Sequence, residues 1–222
     1  MSHMKPQLLV QCDFDGTITH DDVSFLLLDE FADGDWREML TDYSAGGINV
    51  AEFSTKAFGM IKADRRTLLN FMAGKVKIRA GFIELLAYCQ KQGVQFVIVS
   101  NGMDFYIHSI LSDLGLNEIE VFAARTEFHP SGLKVRYIGP DDIQLQDGFK
   151  ESYTKVFISQ GYQVIYIGNG ASDIFPAKEA NHVFATSTLI QTCEQERVHC
   201  VPFENLYDVT RRLEVLKEKL AD

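Results

Sequence analysis

Small polar and acidic residues directly follow three apolar stretches of this chain, at residues 8–12, 96–99 and 164–167. The three polar segments are Asp13-Phe14-Asp15-Gly16-Thr17, Ser100-Asn101-Gly102 and Gly168-Asn169-Gly170-Ala171-Ser172-Asp173. Carboxylate oxygens are ligands of hard divalent cations, and glycine lets other groups approach the main chain closely. If the fold brings the three segments together, they predict one polar site.

The Asp13-Phe14-Asp15 triplet is the most informative of these segments. Successive residues of a strand point to opposite sides, so the two carboxylates can face one side while Phe14 turns away. Two carboxylates this close repel each other unless a cation joins them, and Mg²⁺ prefers such oxygen ligands. Taken alone, the triplet is about equally compatible with one Asp that caps a helix and another in a turn.

The elements that must position these residues are strands and helices in alternation. The three apolar stretches are short and nearly continuous, which is typical of strands buried on both faces of a parallel sheet. Residues 122–123 and 182–185 are weaker strand candidates, and residues 82–89, 103–113, 150–160 and 171–179 carry helical patterns. Alternating elements predict an α/β fold, in which ligands bind at the carboxyl ends of the strands.

The segment between the first two strong strands is too long for a single crossover helix. Residues 22–77 carry helical patterns with many large apolar side chains. We therefore predict a core domain of residues 5–21 and 78–222, with a small helical cap domain of residues 22–77 inserted after the first strand.

Composition excludes several classes of function. The formal net charge is −10, and the basic residues are scattered along the sequence, so we expect neither a nucleic-acid nor an anionic-membrane partner. The four cysteines form no CxxC pair, and no apolar stretch approaches the ~18–20 residues that span a bilayer. We expect a cytoplasmic protein with a small-molecule partner; the oligomeric state stays open.

The three polar segments together resemble the motifs of the haloacid dehalogenase (HAD) superfamily. Asp13-Phe14-Asp15-Gly16-Thr17 matches the first motif, DxDGT, and Ser100 matches the second, a Ser or Thr at a strand end. Residues 168–173 match the fourth motif, GDxxxD, except that Asn169 replaces its first Asp. The resemblance implies a Rossmann-like parallel sheet flanked by helices, a helical cap, and Mg²⁺-dependent hydrolysis of a phosphate monoester.

The resemblance also implies a role for each motif residue. Asp13 is the expected nucleophile that forms an aspartyl-phosphate, and Asp15 is the expected general acid and base. Substrate phosphate is expected at Ser100, Asn101 and Gly102. The implied metal ligands are Asp13, Asp15 through its main-chain carbonyl, Asn169 and Asp173.

A lysine is needed to balance the charges of nucleophile and phosphate. Lys150, about twenty residues before Asn169, matches the position of the third motif. Lys155 is the alternative. At Asn169 the amide keeps an oxygen ligand but removes one negative charge, so we expect weaker metal binding.

Within the superfamily, the segments 13–19 with Asp22, 101–106 and 202–204 resemble the 2-hydroxy-3-keto-5-methylthiopentenyl-1-phosphate phosphatases of methionine salvage. These are relatives of the phosphoserine phosphatases, which give the alternative substrate. A second alternative is a weakly active or non-catalytic phosphate binder, because of Asn169. Another HAD reaction, such as a mutase, also stays open, whereas Asp15 argues against a dehalogenase.

Overall fold

A computed structural model describes residues 7–221, without the side chains of the last two of these. Residues 5 and 6 of the predicted core domain, and residue 222, lie outside the described residues. The strands are β1 (Gln7–Cys12), β2 (Gln95–Met103), β3 (Glu120–Glu127), β4 (Lys134–Ile138), β5 (Gln144–Leu145), β6 (Tyr162–Gly168), β7 (His182–Ala185) and β8 (Val201–Pro202). The helices are α1 (Val23–Phe31), α2 (Trp36–Ser44), α3 (Val50–Gly59), α4 (Arg65–Met72), α5 (Phe82–Gln92), α6 (Asp104–Asp113), α7 (Phe149–Ser159), α8 (Ile174–Glu179), α9 (Thr188–Gln195) and α10 (Leu206–Ala221).

The strands form one twisted sheet in the order β5-β4-β3-β2-β1-β6-β7-β8. The six strands from β3 to β8 in this order run parallel, and β4 and β5 extend the β3 edge in antiparallel fashion. The predicted α/β class with a parallel sheet is confirmed. The β4–β5 extension carries no strong pattern in the sequence, because short edge strands bury few side chains on either face.

Strands β1, β2 and β6 lie at the centre of the sheet because their apolar side chains can be buried on both faces. Leu9, Val10, Val97, Ile98 and Ile165 are all fully buried. Residues 95–98 of β2 and 162–167 of β6 flank β1 in register. The carboxyl ends of the three strands therefore come together at one edge, and the segments that follow them must share that edge.

Helices α1 to α4 occupy the chain between β1 and α5, and each begins behind a side chain that caps it. Asp22, Asp35, Asn49 and Asp64 accept hydrogen bonds from main-chain amides of the first helical turns. Such caps satisfy amides that have no partner within the helix. The helices thus begin where the local sequence allows them to.

The hairpin of β3 and β4 contacts α3 and the chain that follows it. The hydroxyls of Tyr137 and Ser54 lie 2.7 Å apart, and the Leu133 amide donates to the Ile61 carbonyl at 3.1 Å. Gly132 has a φ of +126°, and a Cβ there would lie 1.8 Å from the Gly59 carbonyl oxygen. The hairpin and the helical segment are therefore packed backbone against backbone.

Candidate active site

The first of the three strand-end segments begins where β1 ends. The Asp13 amide donates to the Ile167 carbonyl at 2.9 Å, which extends the pairing of β1 with β6 by one residue. Phe14 turns into the core, as the alternation of side chains predicts. Gly16 has a φ of +71°, and a Cβ there would lie 2.2 Å from Asn169 Nδ2. Both its backbone conformation and its neighbour require glycine.

Asp13 is buried and faces Lys150. The Lys150 Nζ lies 2.9 Å from Asp13 Oδ1, but among the described residues no well-directed hydrogen bond reaches this oxygen. Burial is the main cause that raises the pKa of Asp13 to about 6; the charge of Lys150 opposes this rise, and the charge of Asp173 adds to it. The carboxylate therefore lies beside one cation and is under-compensated for its burial.

Lys150 joins two carboxylates in the interior. Its Nζ also lies 2.6 Å from Asp173 Oδ1, and its side chain is only 5% exposed. Burial works to lower the pKa of Lys150, but Asp13 and Asp173 more than offset it, so the pKa lies above its usual range. Lys155 instead lies on the surface, 3.7 Å from Glu151 and 3.4 Å from Glu179. Of the two candidate lysines, only Lys150 reaches the strand ends.

Asp173 is fully buried, and both of its carboxylate oxygens contact protein groups. Oδ1 accepts from Lys150 and, at 2.5 Å, from the Tyr166 hydroxyl, while Oδ2 accepts from the Asn169 and Gly170 amides at 2.9 and 2.8 Å. Burial raises the pKa of Asp173, but Lys150 and these donors more than offset it and hold the pKa below the usual range. These four donors use the four acceptor sites of the carboxylate, so Asp173 would have to give up one contact to bind a metal, directly or through water.

Asp15 is held by donors from α1 and α6. The Val23 amide donates to Oδ1 at 3.1 Å, and the Tyr106 hydroxyl donates to Oδ2. The Ser24 hydroxyl lies 3.4 Å from the same Oδ2 and 2.8 Å from the Tyr106 hydroxyl. Burial, and then the charge of Asp22, raises the pKa of Asp15 well above its usual value. The environment therefore favours the protonated form of Asp15 more than water does.

The segment after β2 lies beside these carboxylates. Ser100 is buried, and its Oγ accepts a hydrogen bond from the Gly102 amide at 3.1 Å. A Cβ at Gly102 would lie 2.2 Å from the Tyr106 hydroxyl and 2.4 Å from Asp15 Oδ2, so only glycine fits. The Asn101 carbonyl accepts from the Tyr137 hydroxyl at 2.9 Å.

Asn169, the residue that departs from the family motif, contacts the first segment. Its Oδ1 accepts a hydrogen bond from the Thr17 hydroxyl at 2.8 Å. An amide oxygen has two lone pairs, so Oδ1 can accept this bond and still offer a ligand to a cation.

Arg79 is a buried residue of this region that motif spacing did not reveal. Its guanidinium donates to the carbonyls of Gly16 and Thr17, both at 2.7 Å, and to the Glu204 carbonyl at 2.9 Å. No carboxylate of the described residues pairs with it. Arg79 thus holds the main chain after Asp15 in place. Tyr106 and Tyr166 were missed as well, because a tyrosine in an apolar stretch reads as core.

A cavity of about 400 Å³ opens between the strand ends and helices α1 to α3. Its floor contains the residues at the strand ends, namely Asp13, Asp15, Ser100, Asn101, Gly102, Lys150, Asn169 and Ser172. Its opposite wall contains the side chains Asp22, Ser24, Phe25, Leu40, Tyr43, Ser44, Val50, Phe53, Ser54 and Phe58. All the predicted site residues except the fully buried Asp173 therefore line one cavity.

The described chain contains no ready-made metal cage of the histidine or carboxylate type. No three His, Cys, Asp or Glu side chains of residues 7–221 converge as metal ligands.

None of the described helices is both long and apolar enough to cross a membrane.

Comparison with known proteins identifies the family. The model of the haloacid dehalogenase-like hydrolases matches residues 10–175. The chain belongs to this family. Two curated relatives of this hydrolase are the 2-hydroxy-3-keto-5-methylthiopentenyl-1-phosphate phosphatases of Geobacillus kaustophilus, 32% identical, and Geobacillus thermodenitrificans, 30% identical; each match covers 96% of this chain and the whole relative. The expectation that this hydrolase is a phosphatase is confirmed.

Solved structures agree on the fold. A substrate-bound phosphoserine phosphatase superposes on this hydrolase with a TM-score of 0.70 at 18% identity, covering 94% of this chain and 99% of the other. A cytosolic 5′-nucleotidase IIIB bound to cytidine gives 0.62 at 16% identity, covering 97% and 86%. At these identities the likeness concerns the fold alone.

Proposed function

We propose that this phosphatase hydrolyses the phosphate monoester of a small metabolite through a phosphorylated Asp13. The observation that carries the proposal is the buried carboxylate of Asp13, 2.9 Å from Lys150 Nζ, on the floor of a cavity it shares with Asp15 and Ser100. A nucleophile needs a positioned phosphoryl group and charge stabilisation, and Lys150, Ser100 and the adjoining amides can supply both.

In the first step, an Asp13 oxygen attacks phosphorus and the bond from phosphorus to the ester oxygen breaks. The departing alkoxide takes the proton of the Asp15 carboxyl, whose raised pKa favours the protonated acid that this step needs. Tyr106 and the Val23 amide hold the acid in place.

In the second step, water attacks phosphorus while the ionised Asp15 accepts a proton from it. The bond between phosphorus and the Asp13 oxygen breaks, which releases inorganic phosphate and restores both carboxyl groups. One residue thus serves as acid and then as base.

The residues present fit a Mg²⁺ ion. Asp13 Oδ1 is buried and receives no well-directed hydrogen bond from the described residues, and the Asp13 carboxylate is under-compensated for its burial. The proposed ligands are the Asp13 carboxylate, the Asp15 main-chain carbonyl and the Asn169 amide oxygen, with Asp173 acting through water. When bound, such an ion neutralises charge on the phosphoryl oxygens.

For the substrate, we propose 2-hydroxy-3-keto-5-methylthiopentenyl-1-phosphate, the compound that the two Geobacillus relatives are named for. The wall opposite the floor of the cavity contains the apolar side chains of Phe25, Leu40, Val50, Phe53 and Phe58. Such a wall suits a substrate whose uncharged part carries a thioether. Among the described residues that line the cavity, Lys150 is the only lysine or arginine.

Phosphoserine is the alternative substrate, and the same wall weakens its case. Its carboxylate would need a cation besides Lys150, yet Arg65 and Arg66 are exposed and do not line the cavity. Asp22 lines the cavity and could pair with the ammonium group through Oδ2, since only its Oδ1 caps α1, through the Phe25 amide at 2.9 Å. The missing cation for the carboxylate is therefore the argument against phosphoserine.

We also propose that residues 22–77 act as the cap domain of a core formed by residues 5–21 and 78–222. The cap would exclude water and select the leaving group. Tyr43 of α2 supports this role, because it lines the same cavity as Ser172 of the third segment. We further propose a cytoplasmic location, with which the four unpaired thiols agree.

The test is phosphate release with Mg²⁺ from a panel that contains methylthiopentenyl, amino-acid and sugar phosphates. We expect the highest kcat/KM for the methylthiopentenyl compound, and loss of all turnover in Asp13→Asn. Asp42→Asn, a like change at an exposed position of α2, is the control. Full activity in Asp13→Asn would exclude the nucleophile, and higher kcat/KM for phosphoserine would exclude the substrate. Binding of the panel without turnover would favour the non-catalytic alternative.

A further inference from the structure

A second concave surface lies on the other side of β7, away from the phosphatase cavity. It encloses about 560 Å³ between α8, the start of β7, the chain after α9, and α10. None of its lining residues lines the phosphatase cavity. It contains His182, the first residue of β7, and therefore opens towards the opposite edge of the sheet.

The polar side chains of this groove are almost all basic. They are Lys178, His182, Arg197, His199, Arg212 and Lys219, together with Asn181. No carboxylate is among the lining residues, although the chain carries 31 acidic residues and a net charge of −10. The basic residues are scattered along the sequence, but residues of α8, β7, the chain after α9 and α10 all line this groove, so the fold brings some of them together.

Most of these cations have no internal partner. Lys178 lies 2.9 Å from Glu196, whereas Arg197, Arg212 and Lys219 form no ion pair with any described carboxylate. Arg211, next to Arg212 but outside the groove, does pair with Asp208. Burial, and then the charge of His199, lowers the pKa of His182, which disfavours its charged form. The positive charge of the groove therefore comes from its lysines and arginines, most of which have no ion-pair partner among the described residues.

The floor of the groove is apolar. Val183 and Phe184 of β7, with Val201, Val215 and Leu216, provide a surface that an organic group can cover. Exposed cations bind a single negative charge weakly in water, because solvent and salt screen the attraction. A ligand that carries several negative charges on one apolar or planar body would contact both the basic side chains and the apolar floor. The volume of the groove lies within the ~300–1,000 Å³ that is typical of small-molecule sites.

We propose that this groove binds a small organic polyphosphate, a compound that carries two or more negative charges on an apolar or planar body. The site is separate from the phosphatase centre, and its occupancy does not depend on the reaction proposed above.

The test is calorimetric titration of the full chain with ATP as the probe, in EDTA. We expect saturable binding that weakens as salt rises, and a Kd at least about tenfold higher when Arg197→Ala and Arg212→Ala are added. The matched control is Arg211→Ala, which should leave the Kd unchanged. All these arginines are exposed.

Several outcomes would overturn the proposal. One is the absence of saturable ATP binding up to about 1 mM, which corresponds to ~4 kcal/mol. Another is an unchanged Kd in the arginine variants, which would place the binding site elsewhere, including the phosphatase cavity. Binding of oligoglutamate without binding of ATP would replace the small ligand by an acidic peptide. In the otherwise wild-type chain, Arg197→Ala and Arg212→Ala should leave the rate of phosphate release unaltered. Failure of the groove proposal is therefore distinguishable from failure of the proposed enzyme.

Discussion

Lys150 and Asp173 form a buried ion pair, with Nζ 2.6 Å from Oδ1. The pair ties α7 to the loop after β6 and leaves Asp13 as the second, less well compensated neighbour of the same lysine. The ionised carboxylate of Asp173 therefore stabilises the fold, whereas the ionised carboxylate of Asp13 destabilises it.

We expect Asp173→Asn to destabilise the fold and Asp13→Asn to leave stability equal or higher. Breaking a buried pair costs about 3–5 kcal/mol, whereas Asp13→Asn removes a charge whose burial is only partly compensated. The measurement is urea unfolding in EDTA, with Asp42→Asn as the exposed control. Equal losses in the two site variants would contradict the contrast.

Tyr106→Phe should lower kcat by about tenfold, equivalent to ~1.4 kcal/mol, by releasing the Asp15 carboxyl from one of its donors. We also expect the pH limb that reports the general acid to move, which a merely structural change would not cause. Tyr153→Phe is the matched control, since its hydroxyl contacts the Ile138 carbonyl outside the cavity. An unchanged pH profile would exclude the positioning role.

Arg79→Lys should lower the free energy of unfolding by about 2–3 kcal/mol. A lysine cannot donate in a fork to the three carbonyls that Arg79 now satisfies, and hydrogen bonds from charged groups are each worth ~1.5–3 kcal/mol. Thermal unfolding gives the measurement. Arg66→Lys at an exposed position of α4 should change little, and an equally small change at Arg79 would contradict the prediction.

Asn169→Asp should reduce the Mg²⁺ concentration for half-maximal rate by about tenfold, because affinity follows the charge of the ligands. Thr17 can still donate its hydrogen bond, since a carboxylate also accepts. The measurement is the rate against Mg²⁺ concentration, and Asn70→Asp on the surface of α4 is the control. An unchanged requirement would show that the amide does not limit metal binding.

Asp22 predicts a pH dependence of stability. Burial is the main cause that raises its pKa from 3.8 to about 6 in the folded protein. The unfolded chain ionises first as pH rises, so the free energy of unfolding falls between about pH 4 and 6. Asp22→Asn retains the cap of α1 but carries no charge, and should show a shallower fall. Chemical unfolding across this range tests it, and an equal slope would refute it.

The sequence predicts the parallel sheet and the meeting of its three motifs well. Continuous runs of apolar residues predict buried parallel strands, and the carboxyl ends of such strands must lie at one edge of the sheet. Arg79 and Tyr106 were not predictable in the same way, because their contacts are distant in the chain. Tyr166 contacts Asp173 only seven residues away, but a tyrosine in an apolar strand gives no sign of that contact. The groove is hidden from the sequence because its basic residues come from separate elements of the chain.

The hairpin of β3 and β4 contacts two partners that a moving cap would separate. Tyr137 reaches Ser54 on α3 and the Asn101 carbonyl beside the phosphate segment. If α3 moves outward, the Tyr137 hydroxyl must lose its contact with either Ser54 or the Asn101 carbonyl, or the whole hairpin must move together with α3. If α3 moves when product leaves, we expect the β3–β4 hairpin to open at the same rate as product release. The measurement is the rate of deuterium uptake at the amides of Leu133 and Val135, compared with the rate of product release.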